Sequence, residues 1–216
     1  MRTALRDTNV REPPHPRRAG TLLALLLTLV PAAAQADRQR DPGLKPVIQA
    51  AMKESRCFDG KYDDIVWYAL MQPKVEKRLQ QRRHEMRLGD DLAAVARRIL
   101  AAVHCEAHKH RHLDERPQLL LAVIDVESAF DPFAVSSAGA VGLMQVMPFW
   151  PTQLGLARRD LIDIELNVRM GAAILEYYMR VESGDYRRAL ARYNGSLGHR
   201  DYPDLVLARL DQRWRR

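Results

Sequence analysis

Three short clusters carry residues able to do chemistry, and they fall in order in the second half of the chain. The first is Val126-Glu127-Ser128-Ala129-Phe130. The second runs Ala134-Val135-Ser136-Ser137-Ala138-Gly139-Ala140-Val141-Gly142-Leu143-Met144-Gln145-Val146-Met147-Pro148, and the third is Ala191-Arg192-Tyr193-Asn194-Gly195. Glu127 ends the apolar run Leu119 to Val126 and faces a stretch rich in Gly and Met. A carboxyl so placed is partly desolvated, which raises its pKa and keeps it protonated near neutrality. A general acid for a glycosidic oxygen needs that property. The alternative for the same residue is a solvated glutamate at a helix end.

The other two clusters suit a neutral, sugar-like ligand. Gly139 and Gly142 let the backbone turn tightly and approach a ligand. Gln145 sets an amide among Leu143, Met144 and Met147, able to bind a hydroxyl or acetamide, or else to be satisfied by backbone. Tyr193 offers an aromatic face with a hydroxyl, and Asn194 a two-sided amide. Alternatively these residues are a helix C-cap with Asn194 or Gly195 left-handed. Ordinary glycosidases use two carboxylates, about 5–5.5 Å apart for retention or 6.5–9.5 Å for inversion. No second carboxylate is clearly placed here. Asp125 lies about 200° around the helix from Glu127, and Asp131-Pro132 reads as a turn or capping pair.

Helices must position these residues. Leu44, Val47, Ile48, Ala51 and Met52 share one helix face, and Ile65, Val66, Tyr68 and Ala69 form a second stripe, with Pro73 kinking or restarting that helix. Leu92, Val95, Ala96, Ile99, Leu100 and Val103 make a third stripe, opened by capping candidates Asp90 and Asp91. Pro117 opens the helix Leu119 to Val126, which is apolar nearly all round and so predicted to be central and buried. A loop is expected at 136–142, and further helices at about 165–182, 186–193 and 203–212. The predicted fold class is all-α.

Composition bounds the rest. The 216 residues allow one domain with an accessory segment, and 47% hydrophobic with 28% charged residues excludes a largely disordered chain. Residues 1–20 carry five Arg, residues 21–30 are apolar, and Ala34-Gln35-Ala36 is a small-x-small site, so residues 1–36 read as a secretory signal cleaved before Asp37. Ten apolar residues are about half of the roughly 20 needed to span a bilayer, so no stable membrane anchor is expected after cleavage. The mature protein is then periplasmic or secreted, and an oxidising compartment favours a bridge between Cys57 and Cys105 over two buried thiols. That bridge would close a 49-residue loop and stabilise by about 4 kcal/mol on the chain-entropy account. The net charge of +7 divides into +3 in residues 1–36 and +4 in the remainder, so part of the basicity belongs to the signal and no nucleic-acid partner is expected. His104, His108 and His112 recur at i, i+4 and i+8 and could hold a metal, but Lys109 and Arg111 favour a solvated basic helix end; neither metal nor cofactor is expected.

The order Glu-Ser, then Ala-Val-Ser-x-x-Gly-Ala-x-Gly-Leu-Met-Gln-x-Met-Pro, then Ala-x-Tyr-Asn-Gly resembles the family 1 lytic transglycosylases. The resemblance covers about residues 113–210. It implies a goose-lysozyme-like helical domain at 113–216, preceded by a helical extension at 37–112 that packs on it or docks a partner. It implies cleavage of the bond between N-acetylmuramic acid and N-acetylglucosamine in peptidoglycan, with 1,6-anhydromuramoyl ends. Glu127 is then the catalytic acid and subsequent base, and the substrate's own N-acetyl group stands in for a nucleophile. Ser136, Gln145, Met147, Tyr193 and Asn194 would bind substrate or support the glutamate. This chain has Phe149-Trp150-Pro151 where smaller residues are more usual, and Tyr193-Asn194-Gly195-Ser196 where Tyr-Asn-Ala-Gly is commoner. Two other functions fit the same clusters: a hydrolytic lysozyme-type muramidase, and a weakly catalytic wall-binding factor for envelope assembly.

Overall fold

Apolar residues recurring at helical spacing, separated by Gly, Pro and Asp breaks, produce a helical bundle. The computed structural model describes residues 41–54, 64–82 and 91–215. Among the described residues the α-helices are α1 (Leu44–Lys53), α2 (Ile65–Arg82), α3 (Leu92–His108), α4 (Gln118–Glu127), α5 (Phe149–Gln153), α6 (Ile164–Val181), α7 (Tyr186–Asn194) and α8 (Asp201–Arg209). A 3-10 turn at Arg158–Ile162 precedes α6, and a π turn at Leu210–Trp214 follows α8. Two isolated antiparallel bridges, Val135 with Val141 and Val141 with Val146, are the β-type pairings. The fold is all-α and lysozyme-like. Cys57 and residues 1–36 lie outside the described residues, while Cys105 is buried on α3.

Caps are set by the expected residue types. Asp91 accepts from Ala94 N at 2.8 Å at the head of α3, and Asp163 and Asp185 do the same for α6 and α7. Helix α4 has Gln118 through Asp125 all buried, as an element apolar on every side must. It packs on α8, on the π turn and on α3, whereas α6 gathers α1, α3 and α7 around itself. One hydrophobic cluster runs from Leu44 to Trp214, so the helices of the extension share the core of the domain that follows.

The second stripe is corrected by the structure. Ile65 and Val66 are 80% and 65% exposed, and the buried line of α2 is Trp67, Met71, Val75 and Leu79. Trp67 has the largest apolar area to hide, and the rotation that sinks it turns Ile65 and Val66 outward. Pro73 lies on the exposed side of α2, and the helix runs through it without restarting.

Candidate active site

Glu127 is the last residue of α4, half-buried where the apolar helix gives way to the loop over 128–148. Burial pushes its carboxyl up to about 7, against the opposing pull of one hydrogen bond. The donor of that bond is the Tyr202 hydroxyl, 2.5 Å from Oε1. Burial and the nearby Glu127 charge hold the Tyr202 hydroxyl well above its ordinary range, so it stays a donor.

The chain after Glu127 is locked in an unusual path. Ala129 and Phe130 are both left-handed, with φ of 52° and 70°. Ser128 is buried, and its hydroxyl bonds Leu143 O at 2.8 Å with Ile124 O as a second acceptor at 3.2 Å. That contact joins the end of α4 directly to the glycine-containing loop.

The loop is held by polar residues that use their groups inward. Asn167, 1% exposed, accepts from Met144 N at 2.8 Å and donates to Val141 O and Leu161 O, each at 2.9 Å. Gly142, at φ +81°, lies so close beneath it that a Cβ would sit 2.3 Å from Asn167 Nδ2. Gln145 is left-handed and buried, and its amide donates to Gly142 O at 3.0 Å and Ala134 O at 3.3 Å. Tyr193 is 2% exposed and donates its hydroxyl to Met144 O at 2.6 Å. Met147 packs in the core, and Ser136 closes its own turn by accepting from Ala140 N at 3.1 Å.

The structure thus brings Glu127, Gln145 and Tyr193 into one connected assembly. Gln145 takes the backbone-satisfying alternative, and the Tyr193 ring is packed inside rather than presented. Gly195, not Asn194, makes the left-handed cap of α7, at φ 91°. Asn194 Oδ1 and Ser196 Oγ are buried without a hydrogen-bond partner. Of the bulky pair after the motif, Trp150 is buried at 2% exposure and Phe149 packs partly buried against the core. Tyr202, Asn167 and Ser128 are the site residues whose roles spacing did not disclose. Asn167 had a readable signal, being a polar residue on the apolar stripe of α6.

The competing carboxylates are committed elsewhere. Asp125 has a fully buried side chain between Arg78 Nε at 2.7 Å and Arg213 Nη1 at 2.9 Å. Asp131 accepts from Phe133 N at 2.8 Å in a tight turn. In the histidine stretch, His104 and His108 bring Nε2 atoms to 3.1 Å and His108 Nδ1 meets Asp114, but His112 turns away to Glu176 at 2.9 Å. Among the described residues no group of three or more His, Cys, Asp or Glu side chains is arranged to hold a metal.

The domain is all-helical and lysozyme-like, with a carboxyl raised to about 7 at the end of its buried helix. Residues 105–203 match the family model of the transglycosylase SLT domain. Over 84 residues it is 37% identical to the membrane-bound lytic murein transglycosylase C of Actinobacillus pleuropneumoniae serotype 5b (strain L20), covering 34% of this chain and 22% of that protein. The same-named protein of Edwardsiella ictaluri (strain 93-146) is 32% identical over 124 residues, 44% of this chain and 34% of its own length. A transglycosylase of Enterobacteria phage PRD1 is 31% identical over 102 residues, 44% of this chain and 37% of its own length. The matches span 22% to 37% of the length of these relatives.

Proposed function

We propose that this protein is an exported peptidoglycan lytic transglycosylase. The observation that carries the reading is Glu127, a half-buried carboxyl raised to about 7, with one donor on Oε1 and its neighbouring carboxylates paired elsewhere. Neutral Glu127 protonates the oxygen linking C1 of N-acetylmuramic acid to C4 of N-acetylglucosamine, and the C1–O bond breaks. The carboxylate so formed takes the proton of the muramoyl C6 hydroxyl as that oxygen bonds to C1, closing the 1,6-anhydro ring. The proton count returns to its start and no water is consumed. Tyr202 stabilises the transient carboxylate, and the substrate's N-acetyl group assists at C1. Exposed Phe133 and Val135, on the loop that follows Glu127, offer apolar surface to sugar faces. Ser136 and Asn194 supply polar contacts to substrate, while Gln145, Met147 and Tyr193 act by shaping the loop.

The signal at 1–36, the Cys57–Cys105 bridge and a periplasmic location belong to the same proposal. Among the described residues no helix is long and apolar enough to cross a membrane. The test is digestion of purified sacculi followed by mass spectrometry of the soluble fragments. Muropeptides one water lighter than hydrolysis products are expected, and none from folded Glu127→Gln. Release by Glu127→Gln at the parent rate overturns the assignment, and full-mass products replace it with a hydrolytic muramidase.

A further inference from the structure

The segment of α4 ending in Glu127 is gripped on both sides by residues outside the matched 105–203 stretch. Two residues before Glu127, the fully buried Asp125 side chain receives Arg78 from α2 and Arg213 from the π turn. Three residues after it, Phe130 is fully buried in a left-handed conformation and meets the Trp214 ring at 5.2 Å between centroids. Trp214 is the next residue along the same π turn. Lys74 Nζ donates to Arg215 O at 2.8 Å, so α2 also holds the end of that turn.

The chemistry argues for more than stability. A buried ion pair gains little over a well-packed apolar substitute, so a triad here is explained better by the geometry it enforces. Two cations on opposite oxygens of Asp125 fix the rotation of α4 about its axis, and that rotation aims the residue two places on. The paired left-handed residues Ala129 and Phe130 occupy a sparsely populated region that persists only when its surroundings enforce it. Trp214 is the packing that enforces it. We propose that Arg213 and Trp214 are positioning residues for Glu127, acting through Asp125 and Phe130, with Arg78 as the third point of the clamp. The role of the flanking helices is then to hold the acid in register. This rests on the reading of Glu127 as the general acid.

The experiment uses the full chain with Arg213→Gln, Arg213→Lys, Trp214→Leu and Trp214→Phe, each checked for folding. With muropeptide release as readout, Arg213→Gln and Trp214→Leu are expected to lower kcat at least tenfold with KM within twofold. Arg213→Lys and Trp214→Phe should recover most of that loss. A second readout needs no turnover. The 13C-labelled Glu127 carboxyl should titrate near 7 in the parent, and lower in Trp214→Leu, where loosening lets water reach it. If Trp214→Leu does not fold, Arg213→Gln decides alone, since Arg213 is 39% exposed and Asp125 keeps Arg78. Folded variants with parental kcat, or a loss confined to KM, overturn the proposal, as does an unmoved Glu127 titration in folded Trp214→Leu. A parent that releases no muropeptide while the titration moves in Trp214→Leu refutes the enzymatic reading and supports the clamp.

Discussion

Two regions of the core each bury a glutamate, and they treat it in opposite ways. Glu106, on α3, is 3% exposed and sits between Arg169 Nε and Lys109 Nζ, each 3.0 Å from its Oε1. Glu127, at the end of α4, has a tyrosine hydroxyl and, among the described residues, no cation bonded to it. The first arrangement matches a charge and ties α3 to α6. The second withholds the match, so burial raises the carboxyl to about 7. Burial alone therefore does not make a general acid. What separates the two is where the arginines go, and Asp125, only two residues from Glu127, takes Arg78 and Arg213.

The contrast breaks most visibly at the paired end. Glu106→Ala should leave Arg169, itself 6% exposed, without its counter-ion and cost about 3–5 kcal/mol of stability. Urea denaturation measures this, and glycan release per folded molecule should be unchanged. A cost below about 1 kcal/mol would mean that the pair is as dispensable as a surface bridge. The unpaired end predicts the reverse sign. Glu127 has a folded pKa near 7 against an ordinary value of 4.5. Its contribution to stability is therefore fully present below the unfolded value and lost as pH rises through the folded one. Glu127→Gln does not titrate, so it should be more stable than the parent by about 1–3 kcal/mol at pH 8 and equal to it at pH 4. Thermal melts at the two pH values decide; a variant less stable at pH 8 would mean that Glu127 is paired in solution.

Much of this contrast was legible before any coordinates. The run from Leu119 to Val126 is apolar on every side, which both buries α4 and delivers Glu127 to its edge. Helices α1, α3, α6, α7 and α8 follow from spacing at i, i+3 and i+4, whereas the five-residue α5 carries no such period and was not expected. What escaped is of two kinds. In α2 a single large side chain, Trp67, outweighed two β-branched residues beside it, and periodicity that scores every apolar residue alike does not see this. In the site the missing information is direction. The side chains of Gln145 and Tyr193 can face a ligand or the backbone, and only the fold shows both turned inward. Tyr202 is further out of reach. It lies 75 residues beyond Glu127 on a short helix of mixed character, and nothing in its neighbours says that the chain returns there.

Tyr202 also supports the subtlest prediction, because it acts on the unpaired glutamate alone. Its hydroxyl donates to Oε1 and so favours the carboxylate, in opposition to burial. Tyr202→Phe removes that donor while keeping the ring. The Glu127 carboxyl should then rise above 7, and the alkaline limb of the kcat profile should move upward by about one pH unit, the scale of a hydrogen bond to a charged group. The acid step is then served at higher pH, but the base step loses the donor that stabilises its carboxylate, so kcat at the optimum should fall roughly tenfold. Measuring kcat between pH 4 and 9 separates the two effects. A limb that moves downward would show that the phenol shields Glu127 from water rather than bonding to its charge, and the contrast with Glu106 would then rest on hydration instead of on hydrogen-bond partners.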